Sequence, residues 1–92
     1  MSPHITVLYF AAASTATGLF EQSVALPPTE PRFPLASLAA LLLSLHPNTG
    51  LDQVLESSQW SVNEDMIPES EVGSVFLRGG EEVAVICPVS GG

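Results

Sequence analysis

Glu81-Glu82-Val83-Ala84-Val85-Ile86-Cys87-Pro88-Val89-Ser90-Gly91-Gly92 (EEVAVICPVSGG) closes the chain and decides how the rest of it is read. Val83, Val85 and Cys87 share one side of an extended segment, and Ala84 and Ile86 share the other. An extended segment apolar on both sides is a strand covered on both faces, which places Glu82–Cys87 in the middle of a sheet. The strand then leads to two terminal glycines rather than to a turn. At average glycine usage such a pair ends roughly 0.5% of chains by chance. Its plain explanations are a frayed terminus or an expression scar ending in Ser-Gly-Gly.

Working outward, a second two-faced segment lies at the other end of the sequence. His4–Phe10 (HITVLYF) is apolar on both alternating sets, Ile5/Val7/Tyr9 and Leu8/Phe10, and predicts another central strand. The small residues of Ala11–Gly18 predict one or two helical turns stopped by Gly18, and Leu19–Leu26 predicts a strand antiparallel to the first. Pro27, Pro28, Pro31 and Pro34 mark a connection, with Pro34 suited to open the next helix. That helix carries Leu35, Leu38, Leu42 and Leu45 at spacings of three and four, widened by Ala39, Ala40, Leu41 and Leu43.

His46-Pro47-Asn48 ends it. Leu51, Val54 and Leu55 predict a short second helix, with Thr49 and Asp52 as a weak cap. Gln59–Asn63 and Gly73–Leu77 are short strand candidates separated by the polar segment 64–72, and Trp60 reads as a packing residue. Arg78-Gly79-Gly80-Glu81 is a turn. If the first and last strands pair, their long crossover makes them parallel, and one main helix covers one face of a mixed sheet. That α+β arrangement is the β-grasp, or ubiquitin-like, fold.

The 92 residues show no composition break and predict one domain over 1–92, with 88–92 as a flexible tail. The hydrophobic share of 46% is high for so short a chain and implies that a partner protein covers part of the surface. Ten carboxylates oppose only Arg32 and Arg78, a net charge of -8. That sign disfavours nucleic acid and favours a basic protein partner. The strongly apolar stretch Leu35–Leu45, 11 residues, is too short to span a bilayer, and no cation precedes the apolar N-terminal run as in an export signal. The expected location is the cytosol, with no membrane. A single cysteine, Cys87, excludes an internal disulfide, and with His4 and His46 isolated there is no metal signature. Cys87 reads as an inert strand residue rather than a reactive thiol. The chain also has no lysine, so its own side chains offer no amine to capture an activated terminal carboxylate.

Several local words point the same way. Val7-Leu8-Tyr9-Phe10-Ala11 followed by Gly18, the strand Ser61-Val62-Asn63, and Gly80-Glu81-Glu82-Val83-Ala84 leading to Pro88-Val89-Ser90-Gly91-Gly92 resemble the small, sulfur-carrying subunit of molybdopterin synthase, a ubiquitin-like sulfur carrier. The chain departs from that pattern at Cys87, where relatives often have a first proline, and at Ser14 and Thr15, where they often have a basic residue. Leu26–Pro34 and Asp65–Val72 look longer than in compact bacterial relatives. The resemblance implies that Gly92 is adenylated by an activating enzyme using ATP and converted to a thiocarboxylate. Pro88, Val89, Ser90 and Gly91 would then engage the partners' channels. It implies a large subunit carrying the catalytic groups, in a heterotetramer, with no cofactor held by this chain itself. The other readings are a carrier for thiamine synthesis, a ubiquitin-related modifier in transfer-RNA thiolation, and a non-catalytic interaction module.

Overall fold

A computed structural model describes residues 3–26 and 33–86. Cys87 and the expected tail 88–92, including Gly92, lie outside the described residues, as does most of the proline-rich connection.

β1 (His4–Tyr9) buries Ile5, Val7 and Tyr9, and α1 (Ala12–Thr17) follows, closed by Gly18 in the left-handed conformation. β2 (Glu21–Ala25) returns antiparallel to β1, as the short connection requires. β3 (Phe33–Pro34) precedes α2 (Leu35–Leu45) and α3 (Leu51–Glu56). Pro34 is the cap of α2 rather than its first residue: its φ of -65° and ψ of 137° are extended, and Leu35 donates its N–H to the Val75 carbonyl at 2.8 Å. β4 (Gln59–Val62), β5 (Asp65–Ile67), a 3-10 helix over Glu69–Ser74, β6 (Phe76–Leu77) and β7 (Glu82–Ile86) complete the order.

The main sheet runs β2-β1-β7-β4-β5, so the two segments that are apolar on both faces are adjacent, central and parallel. The helices lie on one face. Leu35, Leu38, Leu42, Leu51 and Leu55 meet Ile5, Val7, Tyr9, Trp60, Val62, Val83 and Val85 in one core. The wide apolar surface of α2 is partly used, since Leu41 and Leu43 pack against this core while Leu45 stays exposed.

Two expectations need correction. Gly73–Leu77 is not a strand of the main sheet: Gly73 and Ser74 end the 3-10 helix, and only Phe76–Leu77 is extended, pairing with β3 in a separate two-stranded sheet. The polar segment 64–72 instead contains β5, paired antiparallel with β4. The link is a two-residue turn in which Asn63 (φ 50°) and Glu64 (φ 72°) both adopt positive φ. A turn of that hand matches the twist of its flanking strands and is ordinarily signalled by Asn-Gly. With glutamate second, the signal is masked. The cap of α3 also differs, because Gly50 occupies the capping position and Thr49 assists by accepting the Leu51 N–H at 3.3 Å.

Candidate functional site

The residues expected to do the chemistry, Pro88 to Gly92, come one residue, Cys87, after the end of β7 at Ile86, so the structure places the strand end from which they are reached. Ile86 pairs with Gln59, which puts the exit of β7 beside the start of β4 and the end of β1.

On the face away from the helices, the strand registers align one continuous row: Glu21 opposite Leu8, Leu8 opposite Ala84, Ala84 opposite Ser61, and Ser61 opposite Met66. The two small residues lie in the middle and the two larger apolar ones flank them, which makes the centre of the row shallow. Ser61 is only 4% exposed although no helix covers it, whereas Met66 is 49% exposed. Toward the exit, Phe10 continues the outward set of β1 and is 48% exposed, and Ile86 is half-buried on the same face. Leu8, Phe10, Ile86 and Met66 therefore form an apolar face that ends where the tail departs. Patches of this kind on small soluble domains mark contact with other proteins. The sequence indicated apolarity on both sides of the central strands, but not the row itself.

The opposite end of the sheet is polar and braced. Glu81 accepts the Arg78 N–H at 2.5 Å and the Asn63 side-chain amide at 3.1 Å, and Asn63 in turn accepts the Glu82 N–H at 3.0 Å. These bonds tie the turn before β7 to the β4–β5 turn. Gly79 passes so close to Pro3 that an added Cβ would lie 2.9 Å from the proline Cβ, and Gly80 has φ 89°, a conformation that favours glycine. Glu81 is thus a structural residue as well as a surface charge.

On the helix side, Tyr9 donates its hydroxyl to Gln22 Oε1 at 2.8 Å, and His46 Nε2 lies 2.9 Å from the same oxygen. The Tyr9 and His46 rings meet edge to face at 6.0 Å. This links the end of α2 to the sheet and places His46 at the core edge. Burial pushes the Tyr9 hydroxyl up to about 12, because the phenolate would lose its hydration. His4 is exposed, and among the described residues no three His, Cys, Asp or Glu side chains gather as a metal site would require. No described helix is long and apolar enough to cross a membrane.

The model of the ThiS family matches residues 7–92. The molybdopterin synthase sulfur carrier subunit of Mycosarcoma maydis is 43% identical over 91 residues, covering 99% of this chain and 96% of that one. Among solved structures, SAMP1 from Haloferax volcanii superposes with a TM-score of 0.76 at 19% identity, over 97% of this chain and 99% of its own. A complex of subunits 1 and 2 of the molybdopterin-converting factor from Helicobacter pylori 26695 gives 0.65 at 19% identity, over 97% and 99%. At such identities the structures speak for the fold, which is the expected β-grasp, and the sequence matches speak for the family. The chain belongs to the ThiS family, alongside the molybdopterin synthase sulfur carrier subunits.

Proposed function

We propose that this chain is the sulfur carrier of a molybdopterin synthase, working in the cytosol through the carboxylate of Gly92. A carboxylate is a poor electrophile because its charge is delocalised. Attack of the Gly92 carboxylate on the α-phosphate of ATP releases pyrophosphate and leaves an acyl adenylate. A sulfur nucleophile then adds at the Gly92 carbonyl carbon and expels AMP, leaving a thiocarboxylate. Its sulfur is a soft nucleophile able to attack a carbon of the pyranopterin precursor. ATP and the catalytic groups belong to the partners; this chain contributes the reacting terminus and the surface that presents it.

Glycines at 91 and 92 suit a terminus that must enter two enzyme channels, since no Cβ obstructs close passage. Pro88 restricts the backbone at the exit and lowers the ordering cost of insertion. The outward apolar face, Leu8, Phe10, Ile86 and Met66, docks on the large subunit, and two copies of each subunit form the working assembly. Carboxylates around it speed association with a basic partner.

The observation that carries this reading is the family match running through Gly92, joined to 43% identity with a named sulfur carrier over nearly the whole chain. The test is the intact mass of the carrier after incubation with activating enzyme, ATP and a sulfur donor. One terminal oxygen should be replaced by sulfur. Deleting Gly92 or adding a residue after it should abolish the exchange without changing thermal stability. Sulfur uptake by the extended variant would refute the assignment.

A further inference from the structure

A second surface feature lies at the β5 edge of the sheet, mainly on the helix side, with Met66 of the outward row at its rim. The end of α3, the start of β4, the end of β5, the 3-10 helix and the first turn of α2 enclose an open cleft of about 650 Å³. Leu55, Trp60, Ile67 and Val72 supply its apolar lining, and Glu56 and Glu69 stand exposed in it. Among the described residues, no lysine or arginine lines it. Trp60 is the register partner of Val85, and Gln59 that of Ile86, so the cleft adjoins the end of β7, the last described strand before the tail.

We propose that this cleft receives an arginine-bearing segment of the large subunit that takes up the tail. The inference rests on the sulfur-carrier reading above. Its chemistry is that of the lining: an apolar floor beside two carboxylates suits a side chain with an aliphatic stem and a cationic head. Arginine fits better than lysine because its planar head carries several N–H groups in a fixed fork that can reach carboxylate oxygens, while its stem lies over the apolar floor. A partner seated on the outward face and enclosing the tail would already stand beside the opening. The cleft, whose rim includes Met66 of the outward row, then acts as a second grip around the β5 edge of the sheet.

The experiment measures equilibrium binding of the purified large subunit to the full chain. The comparison includes wild type, the double variant Glu56→Gln/Glu69→Gln, and Ala36→Phe, which fills the cleft from the exposed first turn of α2. Each variant should bind about 10-fold more weakly, with the charge-neutralised one also less sensitive to salt. Melting temperature and adenylation by the activating enzyme should stay at wild-type values, which separates a docking role from a structural one. Large-subunit affinity within about two-fold of wild type in both variants would overturn the inference while leaving the sulfur-carrier reading intact. An equal loss of affinity for the activating enzyme would overturn the choice of occupant. Failure of the wild-type chain to bind any large subunit would remove both proposals together.

Discussion

Phe10→Ala is the most direct probe of the docking face. The ring is 48% exposed, and a phenylalanine offers about 200 Å² for burial, so about 100 Å² is available to a partner. At roughly 25 cal/mol per Å² this is worth ~2.5 kcal/mol, an upper figure because contacts at an interface are incompletely dry. We expect a loss of about 2 kcal/mol, or roughly 30-fold in Kd for the large subunit, measured by calorimetric titration near physiological salt. The control is Leu45→Ala. Leu45 is 45% exposed, much as Phe10 is, but sits at the end of α2 on the helix side. It should change affinity less than about two-fold. If Leu45→Ala weakened binding as much as Phe10→Ala, exposed apolar area in general would be acting, and the outward row would not be the docking face.

The remaining predictions concern the fold and its charges. Folding stability should decline in alkali: the Tyr9 pKa rises from 10.0 to about 12 on folding, so the contribution is intact below the unfolded value and lost as pH rises through the folded one. The loss is on the order of 1 kcal/mol by about pH 11. Tyr9 is the one tyrosine and there is no lysine, so tyrosinate absorbance reports this titration directly, and a folded-state midpoint near the ordinary value would refute it. Glu64→Gly should stabilise the chain by about 1 kcal/mol in denaturant melts, because Glu64 adopts φ 72° where glycine is unstrained; no gain would mean the β4–β5 turn is wrongly placed. Glu81→Gln should cost about 1 kcal/mol of stability by weakening the brace to Arg78 and Asn63. Glu82→Lys, at an exposed site where the backbone N–H and carbonyl bond to Asn63, should instead slow association with a basic large subunit at low salt and leave melting unchanged. The opposite pattern would reverse these two roles.

The central pair of strands was legible in the residues because burial on both faces leaves a mark that needs no knowledge of partners: Ile5, Val7 and Tyr9 alternate with Leu8, and Val83 and Val85 alternate with Ala84 and Ile86. The helix over Leu35–Leu45 was legible for a similar local reason, its spacing of leucines. The family words around Gly80–Ala84 and Gly91–Gly92 pointed to the family from sequence alone. β5 was hidden because three residues, Asp65–Ile67, are too few to display a period, and its turn uses Glu64 where glycine would have announced it. β3 and β6 are two residues each and are extended only because they pair with one another. The row from Glu21 through Leu8, Ala84 and Ser61 to Met66 joins five strands far apart in sequence, and register between strands is set by packing of the whole sheet rather than by any one segment. The same holds for Tyr9, Gln22 and His46, and for the cleft beside Trp60. Local periodicity determined which segments are buried; only the tertiary structure decided which side chains stand next to each other across them, because that adjacency depends on registers and crossovers that no short stretch of chain encodes.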